Sequence, residues 1–139
     1  ELAKKASNEN PVFYVQYAHA RLCSIIRVAK EKGWAVEEVG LNATLECLSP
    51  LTLPEEMAII RQLSLYPELI QSAAETLEPH RLTFYLQSLA GMLHSYYFAC
   101  RVVTEDTALT KARIIFITAI RIVLQNGLAL LGIGSPEEI

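Results

Sequence analysis

The residues Leu82, Leu86, Leu89, Leu93, Tyr96, Cys100 and Val103 recur at strictly alternating steps of four and three, a spacing that fits one face of an α-helix and no strand. So long an apolar stripe needs other helices to cover it, which constrains the rest of the chain to supply them. A first candidate opens at Asn10-Pro11, where Asn can cap and Pro takes the first helical position without losing a needed N–H. Val15, Ala18, Leu22, Ile25 and Ala29 then repeat at steps of three and four until Gly33, a C-terminal cap. The expected element is a helix of about 22 residues.

Further along, residues 34–50 are less periodic and predict one brief helix near Leu41 to Cys47. Thr52 and Glu55 form a T-x-x-E capping box with Pro54 between them, predicting a helix to about Leu65. Tyr66-Pro67 interrupts it, and Pro67 starts another helix through Leu69, Ile70, Ala73, Ala74 and Leu77. Pro79 opens the long helix that carries the stripe. Residues 104–107 are the only turn before the last segment, so those two helices should be antiparallel neighbours. Ile114 to Ile117 could read as a strand, but no breaker interrupts Ala108 to Asn126, and strands rarely run so long. There Thr110, Arg113, Arg121 and Gln125 share one narrow helical face, with Ile117 filling its gap. The helix should end at Asn126-Gly127, with one more turn at Leu128 to Leu131. The expected fold is an all-α antiparallel bundle of about five to six helices in one domain spanning 1–139.

Composition excludes several classes of function. The longest greasy run, Ile114 to Ile120, falls far short of the roughly 20 residues of a bilayer span, so no membrane role is expected. Cys23, Cys47 and Cys100 lack the paired spacing of a zinc site or a disulfide framework, and their odd count suits a reducing cytoplasm. The chain opens on Glu1-Leu2-Ala3-Lys4-Lys5 without Met, and residues 1–9 are read as the cut end of a longer protein. Gly132-Ile133-Gly134-Ser135 resembles a phosphate loop only in letters, because it follows a helix, lacks Lys and runs into Pro136. His19 and Cys23 stand four apart without further ligands, which favours packing over metal binding. His80 and His94 have no nucleophile or carboxylate at suggestive spacing. No catalytic set and no metal site is expected.

Charge is segregated beneath a net of −3. Residues 1–33 carry six basic and three acidic groups, residues 34–78 carry Arg61 against eight Glu, and residues 79–125 carry five basic against two acidic. Basic ends therefore flank an acidic middle, a pattern compatible with a polyanionic partner. Within the basic ends an arrangement repeats: Tyr17 with Arg21, and Tyr97 with Arg101. Residues four apart share a helical face, and both pairs lie one step off a buried stripe, at its rim. Each would offer a π surface beside a cation, a platform on which an unpaired base can stack next to its phosphate.

Asn10-Pro11-Val12-Phe13-Tyr14-Val15-Gln16-Tyr17-Ala18-His19-Ala20-Arg21 closely resembles a stretch typical of arginyl-tRNA synthetases. The likeness continues through Ser64-Leu65-Tyr66-Pro67, residues 79–86, Tyr96-Tyr97, residues 100–103, Ala112-Arg113 and residues 127–133, nearly the whole chain. It departs at Thr107-Ala108-Leu109-Thr110, where the family has D-A-L-R and Asp106 stands one place early, and at Ile139, where the family ends in Met.

This resemblance implies the all-helical anticodon-binding domain of the DALR type found at the C-terminal end of class I synthetases. By the same resemblance the partners are the anticodon arm of arginine tRNA and the protein's own catalytic domain, in a monomeric, cytoplasmic parent. Attachment of arginine, with ATP and Mg, would belong to that catalytic domain, and this chain would hold no cofactor. Tyr17, Arg21 and Tyr97 match family positions lining the anticodon pocket, and Ile139 sits where the terminal Met would help close it. Gln16, His19 and Arg101 are added on geometry alone. The acidic residues 34–78 should face away from RNA. The competing readings are a helical adaptor that uses an apolar groove to bind another protein, and a docking domain for the catalytic core.

Overall fold

The computed structural model describes residues 10–139, so the reading of residues 1–9 as a cut connection lies outside the described residues. The described residues form α1 (Pro11–Glu31), α2 (Val36–Leu41), one 3-10 turn (Leu45–Leu48), α3 (Pro54–Ser64), α4 (Tyr66–Thr76), α5 (His80–Ala99) and α6 (Thr107–Leu130), with no strand among them. The all-helical expectation holds.

Capping chemistry sets the ends of α1. The Asn10 side chain accepts from the N–H groups of Val12 and Phe13 at 3.0 and 3.4 Å, leaving Pro11 where no donor is needed. At the other end Gly33 takes φ +91°, and Gly33 and Trp34 donate to Lys30 and Ala29, which returns two terminal carbonyls to hydrogen bonding. The expected brief helix at 41–47 is replaced by two shorter elements, α2 and the 3-10 turn, that pack on α6. The expected capping box sits one residue later than Thr52 and Glu55: Leu53 is the cap residue and its N–H donates to Glu56 Oε2 at 3.1 Å. Leucine has no acceptor to return, so only the carboxylate half of the device operates.

Helix direction follows from cross-helix pairs. Tyr14 approaches Gly91, Tyr17 stacks on His94 and Arg21 reaches Tyr97, so the two sequences rise together and α1 runs parallel to α5. Leu86 meets Gly127 and Tyr96 meets Phe116, so α5 and α6 are antiparallel, as their short link required. Tyr96 bonds Glu56 and Tyr85 bonds the Gln62 carbonyl, which makes α3 antiparallel to α5 as well. His94 and Tyr96 are about 200° apart around α5 at 3.6 residues per turn. Hence α1 and α3 pack on nearly opposite sides of α5.

Two boundaries depart from expectation. α5 stops at Ala99 because Cys100 is extended, so Cys100 and Val103 continue the apolar stripe from a loop. Conversely, α6 runs through Gly127 to Leu130 and ends at Gly132, with no break at Asn126. Gly127 is there for clearance: a Cβ would lie 2.6 Å from Leu86 Cδ2, and Leu86 is itself fully buried.

The narrow polar face of α6 is itself partly buried. Thr110 and Arg113 are buried, while Gln125 is exposed. Arg113 Nε bonds Glu56 Oε1 at 2.9 Å, Arg113 Nη1 bonds the Arg101 carbonyl at 2.6 Å, and the Tyr96 hydroxyl donates to the same Glu56 oxygen at 2.8 Å. Both ends of the ion pair lie in the core, Glu56 with no exposed surface at all. Removing one partner of a buried pair strands the other charge, which typically costs about 3–5 kcal/mol, whereas apolar replacement of the whole set is far milder. Arg113→Met should therefore lower unfolding stability by about that amount in urea titration. The triple variant Glu56→Leu, Tyr96→Phe, Arg113→Met should be less destabilised than Arg113→Met alone.

Candidate nucleic-acid interface

The seam between α1 and α5 collects the aromatic and cationic residues. Tyr17 is 36 % exposed and its ring stacks on His94 with centroids 5.6 Å apart and 30° between planes. Phe13 stands 6.3 Å from Tyr17, one turn earlier on α1, and Tyr14 lies 4.9 Å from the same His94 ring. One turn further along, Arg21 lies over the Tyr97 ring with its guanidinium carbon 4.4 Å from the centroid, and Arg21 Nη2 donates to the Tyr97 hydroxyl at 2.5 Å. Tyr17 and Tyr97 thus line the same seam, and neither is sealed in the core.

The pairing differs from the expected one. Arg21 does not serve Tyr17 on its own helix; it crosses to Tyr97 on α5. Arg101 does not share a helical face with Tyr97, because α5 has ended and Cys100 is extended. Its carbonyl is held by Arg113 while the residue itself is exposed. Arg21, Tyr97 and Arg101 nevertheless border one groove of about 560 Å³. A cation over an aromatic face contributes about 0.5–1 kcal/mol at such partly exposed sites and fixes where the guanidinium points.

Gln16 and His19, expected to contact RNA, occupy the neighbouring stripe of α1 and hold the segment that follows α6. Gln16 Nε2 donates to the Gly134 carbonyl at 2.8 Å, and His19 Nδ1 lies 3.0 Å from the Pro136 carbonyl. Only the tautomer with a proton on Nδ1 can make that bond. Arg27 continues the stripe with an ion pair to Glu138 at 2.7 Å. The tail after α6 is thereby laid along α1, with Ile139 at its tip 58 % exposed. His19 is 1 % exposed and faces the tail instead of solvent. Burial pushes the thiol of nearby Cys23 up, against the opposing effect of Arg121. Among the described residues no three His, Cys, Asp or Glu side chains are placed to share a metal, and no helix is long and apolar enough to cross a membrane.

Sequence reasoning missed Tyr14 and His94. His94 contacts both Tyr14 and Tyr17, and its Nε2 is buried without a hydrogen-bond partner. Its signal was available: His94 lies one helical turn before Tyr97, and Gly91 one turn earlier leaves room for the Tyr14 hydroxyl 3.5 Å from where a Cβ would stand.

Comparison with known proteins places these features in a wider set. The family described as DALR anticodon binding domain matches residues 15–139. The arginine–tRNA ligase of Syntrophotalea carbinolica is 50% identical over 139 residues, covering 100% of this chain and 24% of the relative. That of Geotalea daltonii is 48% identical over 140 residues, again with 100% and 24% coverage. Among solved structures, Thermus thermophilus arginyl-tRNA synthetase superposes with a TM-score of 0.77 at 31% identity, covering 96% of this chain and 22% of that one. The chain spans about a quarter of the length of the curated relatives it matches.

Burial, and after it the Arg21 guanidinium, pushes the His94 imidazole below the ordinary histidine value of 6.5. The unfolded chain then binds this proton more readily than the folded one, so the fold loses stability as pH falls through about 6.5 and below. Thermal melts between pH 8 and pH 5 should show this decline. In His94→Phe, which keeps a ring against both tyrosines, the slope below pH 6.5 should be shallower.

Proposed function

Because the chain belongs to the DALR anticodon binding domain family, we propose that it binds the anticodon arm of a tRNA as the RNA-reading part of an arginine–tRNA ligase. The observation that carries this reading is the α1–α5 seam, where Tyr17 stacks on His94 and, one turn further along, Arg21 lies over the Tyr97 ring. An unpaired base needs a flat apolar surface and its phosphate needs a nearby cation, and the seam supplies both within one helical turn. Tyr17 and Tyr97 stack anticodon bases, and Arg21 holds the adjoining phosphate or base edge. Arg101 adds charge to the groove bordered by Arg21 and Tyr97, and Ile139 is not among the residues that border it. Gln16 and His19 act indirectly, by fixing the tail after α6 on α1.

The charge layout supports this orientation. α3 and α4, which carry four of the eight Glu of residues 34–78, pack on the side of α5 away from α1, so half of the acidic charge of that segment is turned from the seam. The arginine specificity of the tRNA rests on the names of the relatives.

Attachment of arginine to tRNA, with ATP and magnesium, takes place in the part of the parent that this chain does not span. The residues present do not fit a nucleotide: Gly132 to Gly134 lead out of α6, and the Gly134 carbonyl is already held by Gln16. The parent works as a monomer in the cytoplasm, with this domain carried beside its catalytic domain.

Stacking of a base on an aromatic side chain is worth about 1–3 kcal/mol. Tyr17→Ala and Tyr97→Ala should each weaken binding of an anticodon stem-loop RNA carrying an arginine anticodon by roughly tenfold or more, at unchanged helix content by circular dichroism. Affinity should also fall steeply with salt as counterions are released. Unchanged affinity in both variants, or binding indifferent to salt, would exclude this role.

A further inference from the structure

Two large recesses flank α1, and their charges differ in kind. The first, between α1, α2 and α6, has a volume of about 750 Å³ and mixes Arg27, Lys30 and Arg121 with Glu37 and Glu137. Two of its three cations are already paired, Lys30 with Glu37 and Arg27 with Glu138, and the third, Arg121, shares the recess with two carboxylates. The second is the 560 Å³ groove between the C-terminal half of α1 and residues 97–103. Arg21, Lys32 and Arg101 line it, together with the rings of Tyr97 and Phe98, and no carboxylate does.

Within that groove Phe98 is 88 % exposed, near the end of α5, and stands edge-on to Tyr97 with centroids 6.2 Å apart and 71° between planes. The ring therefore contributes almost nothing to the core, yet it is set beside the very tyrosine that Arg21 holds in place. Lys32 and Arg101 are exposed and have no carboxylate partner among the described residues. An unshielded aromatic face flanked by two exposed cations matches the repeating unit of single-stranded RNA, a π-faced base between phosphates.

We propose that this groove is a second nucleotide subsite, in which Phe98 stacks the unpaired base adjacent to the one on Tyr97 while Lys32 and Arg101 hold the phosphates on either side. The subsite rests on the anticodon-arm reading above and extends it by one nucleotide. The edge-on setting of the two rings requires the chain to turn between the two bases, which suits a loop whose bases are splayed apart and not a continuous stack.

An abasic scan tests it. In an anticodon stem-loop hairpin, each loop nucleotide is replaced in turn by an abasic one, and affinity is measured for the unaltered chain, Phe98→Ala, Phe98→Trp and Tyr97→Ala. For the unaltered chain three loop positions, those on Tyr17, Tyr97 and Phe98, should each lose roughly tenfold. Phe98→Ala should abolish the penalty at one of them and keep it at the other two, Tyr97→Ala should abolish it at a different one, and Phe98→Trp should bind as the unaltered chain does. Lys32→Ala and Arg101→Ala should weaken all hairpins alike and reduce the slope of log affinity against log salt by about 0.7 each. Should Phe98→Ala bind every hairpin normally, or lose affinity evenly across the scan, the second subsite is wrong while a loss in Tyr17→Ala and Tyr97→Ala leaves the anticodon reading standing. If none of the aromatic variants weakens binding, both fall together.

Discussion

A single carboxylate in the middle of the bundle organises most of what surrounds it. Glu56 sits in the first turn of α3 and takes a guanidinium from α6, a phenol from α5 and the N–H of Leu53 at its own helix start. Burying such a charge is costly unless every lone pair is answered, and here the answers come from three different helices. The bond network therefore works as a gauge: if α3, α5 or α6 slides by a fraction of a turn, a partner is lost and the remaining charges are left in hydrocarbon.

The same network reaches the groove beside Tyr97. Arg113 has a second nitrogen to satisfy, and it takes the Arg101 carbonyl. That demand draws residues 100–103 inward, ends α5 at Ala99 and lets Thr104 and Asp106 begin α6 through their side-chain bonds to Thr110 and Leu109. Asp106 stands one place earlier than the D-A-L-R pattern, and in the structure it is the residue that caps the helix. The shape of the groove beside Tyr97 and Phe98 is thus set from inside the core, by a contact that touches neither ring.

Periodicity carried the fold a long way because the long helices each bury one stripe, and Leu82, Leu86, Leu89 and Leu93 are all buried as their spacing required. What periodicity could not show is where a stripe leaves the helix. Cys100 keeps the rhythm of the stripe although its backbone is extended, since a loop can fill an apolar gap as well as a helix can. Gly127 read as a terminator because glycine commonly ends helices, whereas its reason is clearance for Leu86, a contact about 40 positions away in sequence that no local pattern contains. Likewise the narrow polar face of α6 was legible, but not that Arg113 on it meets Glu56 in the core. The tyrosines of the seam were legible from spacing, but the cross-helix partnership of Arg21 with Tyr97 depends on α1 and α5 running in the same direction, and direction is a property of the assembled fold.

The strap that follows α6 has an asymmetry of its own. At two of its three anchor points α1 grips main-chain oxygens, those of Gly134 and Pro136, through Gln16 and His19. A carbonyl is the same on every amino acid, so the identity of the gripped residues is free to drift over evolutionary time so long as the spacing stays put. Adding or deleting one residue between the anchors is another matter, because it would displace the final residue by about 3.5 Å. Such a segment tolerates respelling far better than resizing, much as a ruler survives repainting and not cutting.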